Sequence, residues 1–201
     1  MKKQLKEWEG KFGDEYTDRN VVAWQTRLPL FRQMLDGLPI RRVLEVGCNR
    51  GHNLEALSEL LGPDAEIVGV EPNPHARTLA RAMSQNAAVL AGDACDLPFK
   101  GGTFDLVFTW GVLIHVPLES LEVAMAQIHR VTNRYILAVE YFAEEETPIH
   151  YRGHDDLLWK RDFPRHYLQR FPDLRLMRQG YWGPEHGADR VNWWLLERAP
   201  V

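Results

Sequence analysis

Residues 43–51 read Val-Leu-Glu-Val-Gly-Cys-Asn-Arg-Gly, and Glu71 follows twenty positions after Gly51. Val43 to Val46 have the composition of a buried strand. Gly47, Asn49 and Gly51 make a tight turn at its end, and Asn is among the few residues that accept positive φ readily. From His52 to Leu61, apolar residues at 54, 57, 60 and 61 follow helical spacing. A strand, a small-residue turn and a helix let a cofactor approach the backbone closely. An acid at the end of the second strand, 66–70, is placed to accept hydrogen bonds from both hydroxyls of a ribose.

The turn does not fit the dinucleotide pattern G-x-G-x-x-G, because Asn49 and His52 stand where the second and third glycines belong. It fits E-x-G-x-G-x-G better, through Glu45, Gly47, Asn49 and Gly51. A G-x-x-x-x-G-K-[ST] run for triphosphates is not present.

Strand and helix patterns alternate over 41–142. Strands are expected at 41–47, 66–71, 87–92, 104–110 and 134–142, and helices at 52–61, 74–85 and 118–131. Pro74 suits a first helical turn, and Leu118, Leu121, Met125, Ile128 and Val131 make an apolar stripe. Such alternation implies a mostly parallel sheet covered on both faces. After 172 the pattern changes. Strands at 174–182 and 191–198, joined by Gly-Pro-Glu-His-Gly-Ala-Asp, predict an antiparallel hairpin.

These segments resemble the class I S-adenosylmethionine-dependent methyltransferases. Residues 43–51 are similar to their motif I, Val68-Gly-Val-Glu-Pro-Asn73 to their ribose-binding motif, Gly92-Asp93-Ala94 to their adenine-contact motif, and 104–115 to their fourth-strand motif. The resemblance implies a Rossmann-like seven-stranded α/β fold and S-adenosylmethionine as cofactor. It implies cofactor contacts from Glu45, Gly47, Asn49, Gly51, Asn53, Glu71, Pro72, Asp93, Ala94 and Trp110. A narrower resemblance, carried by 8–20, 45–49, 110–116 and 151–161, is to methylases associated with pseudaminic acid biosynthesis. It implies an acidic sugar or nucleotide-activated sugar as acceptor.

One domain over 1–201 is expected: an N-terminal helical lid (1–40), a cofactor-binding core (41–142), an acceptor-recognition insert (143–172) and the hairpin (173–201). Helices are expected before Gly10 and around 28–35. Trp8, Phe12 and Tyr16 carry too much aromatic surface for a loose tail. Gly10 and Gly13 offer hinge freedom, and Tyr16 and Arg19 are expected to line the site, Arg19 facing the methionine carboxylate.

Several residues admit two readings. Glu45 either orders the turn or meets the cofactor's amino group. Asp93 either meets the adenine or closes an Asx-turn. Trp110 either underlies the methionine part or belongs to the core. His115 is a candidate general base or a cap for Val116-Pro117, with His154 and Glu140 as rival bases. Tyr151, Arg152, Lys160 and Arg161 either bind an anionic acceptor or form a solvated face paired with neighbouring acids.

The net charge of −4 disfavours nucleic acid. Cys48 and Cys95 form no C-x-x-C pair, so no metal site or disulfide is expected. Lys2 and Lys3 are not followed by an apolar stretch, so no signal peptide is expected. A cytoplasmic monomer or homodimer that touches no membrane and acts by methyl transfer to O or N of a small molecule is the leading expectation. Methylation of a peptide or protein, or adenosylmethionine binding without catalysis, are the alternatives.

Overall fold

The computed structural model describes residues 2–186 and 189–199; Gly187 and Ala188 of the expected hairpin loop lie outside them. The chain opens with α1 (Lys2–Glu9) and α2 (Lys11–Arg19), then a short 3-10 turn at Trp24–Arg27 and α3 (Leu28–Leu35). The core follows as β1 (Arg42–Val46), α4 (His52–Leu61), β2 (Glu66–Val70), α5 (Pro74–Met83), β3 (Ala87–Leu90), β4 (Phe104–Trp110), α6 (Leu118–Val131) and β5 (Thr132–Glu140). A two-stranded ribbon, β6 (Thr147–Pro148) and β7 (Trp159–Lys160), and α7 (Phe163–Arg170) precede the hairpin β8 (Leu174–Trp182) and β9 (Val191–Arg198).

The main sheet has seven strands in the order β3-β2-β1-β4-β5-β9-β8. Strands β1 to β5 pair in parallel, whereas β9 runs antiparallel between β5 and β8. The fold is thus the expected Rossmann-like seven-stranded α/β fold, mostly parallel and closed by an antiparallel hairpin. Apolar clusters cover both faces of the sheet. The strand order reverses between β1 and β4, so the loops after these strands diverge and leave a crevice at their carboxyl ends.

The boundaries differ from the expected ones where a cap decides them. The helix α5 starts as anticipated, with Pro74 in its first turn and the Asn73 side chain accepting from Ala76 N–H at 2.8 Å. It ends at Met83 rather than 85, with Ser84 as C-cap. Strand β5 starts at Thr132 directly after α6, and Thr132 Oγ1 donates back to Ile128 O at 2.7 Å. Periodicity alone did not reveal α2, α7 or the small ribbon, which are too short for a clear repeat. Gly13 is not a hinge: it lies buried inside α2, where a Cβ would stand 1.8 Å from Trp8 O. Glycine there permits the close contact of the first two helices.

Among the described residues, no helix is long and apolar enough to cross a membrane.

Candidate active site

A cavity of about 440 Å³ opens at the crevice, within the size range of small-ligand sites. The turn after β1 supplies Gly47, Cys48 and Asn49, and α4 supplies His52 and Asn53. Positive φ at Gly47 (76°), Asn49 (44°) and Gly51 (80°) folds this turn tightly, as anticipated. The Gly47 position also lacks room for a side chain, since a Cβ would meet Val112 Cγ2 at 2.6 Å.

Glu71 ends β2 and is 7% exposed. Its Oε2 accepts from Asn49 N–H and its Oε1 from Asn73 N–H, both at 2.9 Å. Burial raises its pKa, opposed by these two backbone bonds and by Arg77. An ionised carboxylate has about four lone-pair sites, so both oxygens keep capacity for hydroxyl donors. Glu45, 1% exposed, accepts from Asn53 Nδ2 at 2.7 Å through Oε1, and burial pushes its carboxyl up to about 8. Asp93 Oδ1 accepts from Cys95 N–H at 2.7 Å, an Asx-type closure, while Asp93 and Ala94 also line the cavity.

The N-terminal helices roof the cavity. Trp8, Tyr16, Thr17, Arg19 and Asn20 face it. They are fastened by Asn73 Nδ2 to Trp8 O (3.0 Å) and Asp14 Oδ1 (2.8 Å), by Arg50 to Thr17 O (3.2 Å), and by the His75–Asp18 pair (2.7 Å). Burial pushes the Tyr16 hydroxyl up to about 12. The Arg19 guanidinium lies 5.5 Å from the Tyr16 ring and 5.8 Å from the Phe12 ring.

The loop after β4 carries Gly111, Val112, Ile114 and His115 into the wall. His115 Nδ1 stands 2.6 Å from Leu157 O. A carbonyl only accepts, so the proton sits on Nδ1 and Nε2 keeps its lone pair. Burial lowers the imidazole pKa to about 4, opposed by the Leu157 bond, so the ring is neutral near pH 7. Trp8 lies 4.5 Å from this ring and Tyr151 5.8 Å.

Of the residues expected from sequence, the cavity gathers Tyr16, Arg19, Glu45, Gly47, Asn49, Asn53, Glu71, Pro72, Asp93, Ala94, Trp110, His115, Tyr151 and Arg152. Gly51 sits behind the turn against Ala80. His154 stacks edge-on to Phe12 at 5.3 Å, outside the cavity wall. Glu140 and Arg161 are corrected on geometry. Glu140 is fully buried, and its carboxylate accepts from Val112, Leu113 and Ile114 N–H at 3.1–3.3 Å, so it has no approach to an acceptor. Arg161 is 1% exposed and donates to Val116 O (2.8 Å), Leu113 O (3.4 Å) and Glu146 (2.6 Å). These two side chains thus hold the backbone of the 112–116 loop, on which His115 sits. Lys160 lies 6.0 Å from the Tyr141 ring and is not in the wall. Sequence reasoning missed Arg27, whose guanidinium lies 4.3 Å over the Trp110 ring. It also missed Asn73 as the link to the roof.

Six of the thirteen buried polar side-chain atoms without a partner among the described residues belong to the residues that line this cavity. They are Trp8 Nε1, Arg27 Nε, Glu45 Oε2, Asn49 Oδ1, His52 Nε2 and Asn53 Oδ1. Unpaired buried polar groups are costly and rare, so the cavity suits a ligand rich in donors and acceptors. A nucleoside joined to an amino acid is one.

Residues 43–134 match the methyltransferase domain family. The chain is 31% identical over 122 residues to an uncharacterized methyltransferase of Schizosaccharomyces pombe, covering 55% of this chain and 43% of that one. It is 26% identical over 118 residues to demethylmenaquinone methyltransferase of Staphylococcus aureus, covering 56% and 48%. The match thus spans less than half the length of these curated relatives. The structure is similar to that of 1,6-didemethyltoxoflavin-N1-methyltransferase from Burkholderia thailandensis, which was crystallised with 1,6-didemethyltoxoflavin and S-adenosylhomocysteine. There the TM-score is 0.68 at 16% identity, over 98% of this chain and 86% of that one.

Proposed function

We propose that the chain is an S-adenosylmethionine-dependent methyltransferase acting on a small anionic metabolite. The observation that carries this reading is a cavity at the carboxyl ends of the strands that holds the buried Glu71 carboxylate together with six unpartnered buried polar atoms of its lining residues. The methyltransferase domain match over 43–134 supports it. When bound, S-adenosylmethionine supplies an electrophilic methyl on a sulfonium.

The chain's own contribution is to hold and align. Glu71 would accept from the ribose hydroxyls, Asp93 and Ala94 would meet the base, and the 47–51 turn would lie along the ligand backbone. Alignment of this kind contributes up to about 7–11 kcal/mol to a displacement. His115 Nε2 would take the proton of an acceptor hydroxyl or amine, with the ring held by Leu157 O. The helices α1 and α2 would act as a lid that excludes water.

The acceptor class rests on narrower support. Arg152 and Tyr151 line the cavity, and 8–20, 110–116 and 151–161 resemble the pseudaminic acid-associated methylases. Both favour an acidic sugar or its nucleotide-activated form. Incubating the chain and S-adenosylmethionine with acidic sugars, nucleotide sugars and neutral counterparts, and reading products by mass spectrometry, tests this. A gain of one CH₂ on an acidic acceptor is expected. Preference for a neutral acceptor would overturn the acceptor assignment and leave the reaction standing.

A further inference from the structure

Arg27 has no counterpart in the cofactor motifs, yet it enters the same cavity. It closes the short turn Trp24–Arg27 ahead of α3. Its guanidinium carbon lies over the Trp110 ring, 4.3 Å from the centroid. Trp110 is backed by Trp182 at 6.1 Å, and Trp182 by Trp193 at 5.4 Å, in near-parallel stacks. Trp182 Nε1 also donates to Gln33 Oε1 of α3 at 3.2 Å, tying the turn's following helix to the same stack. The cation is therefore held in one orientation by packing rather than by an acid.

Arg27 Nε is buried without a hydrogen-bond partner, and so is Glu45 Oε2. Both side chains line the cavity. Among the described residues, no ion pair joins them. A guanidinium and a carboxyl that each keep one buried atom without a partner, in one cavity wall, match a zwitterion, with a carboxylate for the first and an ammonium for the second. Arg19 is the rival for the carboxylate, but it is exposed and turned to the rings of Tyr16 and Phe12. Charge-assisted bonds gain strength as water is removed, which favours Arg27.

We propose that Arg27 is the anchor for the cofactor's α-carboxylate, with Glu45 facing its α-ammonium group. This rests on the methyltransferase reading above. The test is calorimetric binding of two ligands, S-adenosylhomocysteine and 5′-methylthioadenosine. The second keeps the nucleoside and thioether and lacks the amino-acid end. Arg27→Gln is expected to weaken S-adenosylhomocysteine by about 10- to 100-fold, while methylthioadenosine affinity stays within about twofold. Arg19→Gln is expected to change the ratio of the two affinities little. Unchanged homocysteine-ligand affinity in Arg27→Gln, or an equal loss for both ligands, would overturn the assignment. If Arg27→Gln does not fold, Arg27→Lys is read on the same ratio. It keeps the charge and loses the planar fork, so a smaller selective loss is expected, and an unchanged ratio overturns the proposal. Failure of the unaltered chain to bind either ligand would overturn the cofactor reading itself and this assignment with it.

Discussion

Asn73 donates its backbone N–H to Glu71 Oε1 at 2.9 Å, and the same residue's side-chain amide holds Trp8 O and Asp14 Oδ1. Asn49 repeats the arrangement, with N–H to Glu71 Oε2 at 2.9 Å and Nδ2 to Thr17 Oγ1 at 3.4 Å. The carboxylate that would meet the ribose is thus set by the two residues that also fasten the roof. Asn73→Ala removes the α5 cap and the roof contacts together, at a cost of about 0.5–2 kcal/mol. Faster hydrogen exchange across 4–19 and weaker S-adenosylhomocysteine binding are the expected outcomes. Exchange that stays as slow as in the unaltered chain would mean the roof is held elsewhere.

Glu71→Ala acts on the ligand directly. Loss of a charge-assisted bond costs about 1.5–3 kcal/mol, so S-adenosylhomocysteine affinity should drop ~10- to 100-fold. An unchanged dissociation constant in calorimetry would remove the ribose assignment.

Glu140 accepts from three backbone N–H groups of the loop that carries His115, and its conservative variant tests whether this seat matters. Burial pushes its carboxyl up to about 7, against the backbone N–H bonds that favour the anion. In Glu140→Gln one carboxylate oxygen becomes an NH₂ that faces N–H donors. A loss of about 1–3 kcal/mol is expected, visible as a lower Tm. The acidic limb of the pH–rate profile should also shift, since His115 loses its fixed seat. A variant with unchanged Tm and profile would show that the seat does not matter.

Strand, turn and helix around 43–61 were legible because burial and helical spacing are local signals. The Asn49 turn was legible for the same reason: positive φ is a property of the residue itself. The roles of Glu140 and Arg161 were not. Their charges read equally as a base, an acceptor grip or a solvated pair. Only the packing of the end of β5 and of the returning 157–161 segment against the 112–116 loop shows that both are buried against its backbone. Arg27 was hidden for a related reason, since its place depends on an indole stack assembled from β4, β8 and β9.

Arg152 is the member of the expected basic group that lines the cavity alongside Tyr151, over whose ring its guanidinium lies at 5.7 Å. Arg152→Glu should raise the acceptor KM by about 10-fold or more, a loss of at least ~1.4 kcal/mol. S-adenosylhomocysteine binding should be nearly unchanged. Equal KM values for the variant and the unaltered chain would remove Arg152 from acceptor recognition.

The pairing of Glu45 with an ammonium group has a pH signature. Its carboxyl is raised to about 8, burial being the main cause. Below that pH the free chain holds a neutral acid, and an ammonium that selects the carboxylate releases its proton on binding. Affinity for S-adenosylhomocysteine should therefore rise as pH climbs from about 6 towards 8, by up to ~10-fold per unit. Glu45→Gln should flatten the dependence. A flat profile in the unaltered chain would show that Glu45 does not titrate with binding.

The most direct measurement is calorimetric titration of the unaltered chain with S-adenosylhomocysteine, with NAD as the competitor nucleotide. A single site of about micromolar dissociation constant, near −8.2 kcal/mol, is predicted for S-adenosylhomocysteine, and no binding for NAD. Binding of NAD with no response to S-adenosylhomocysteine would contradict the account.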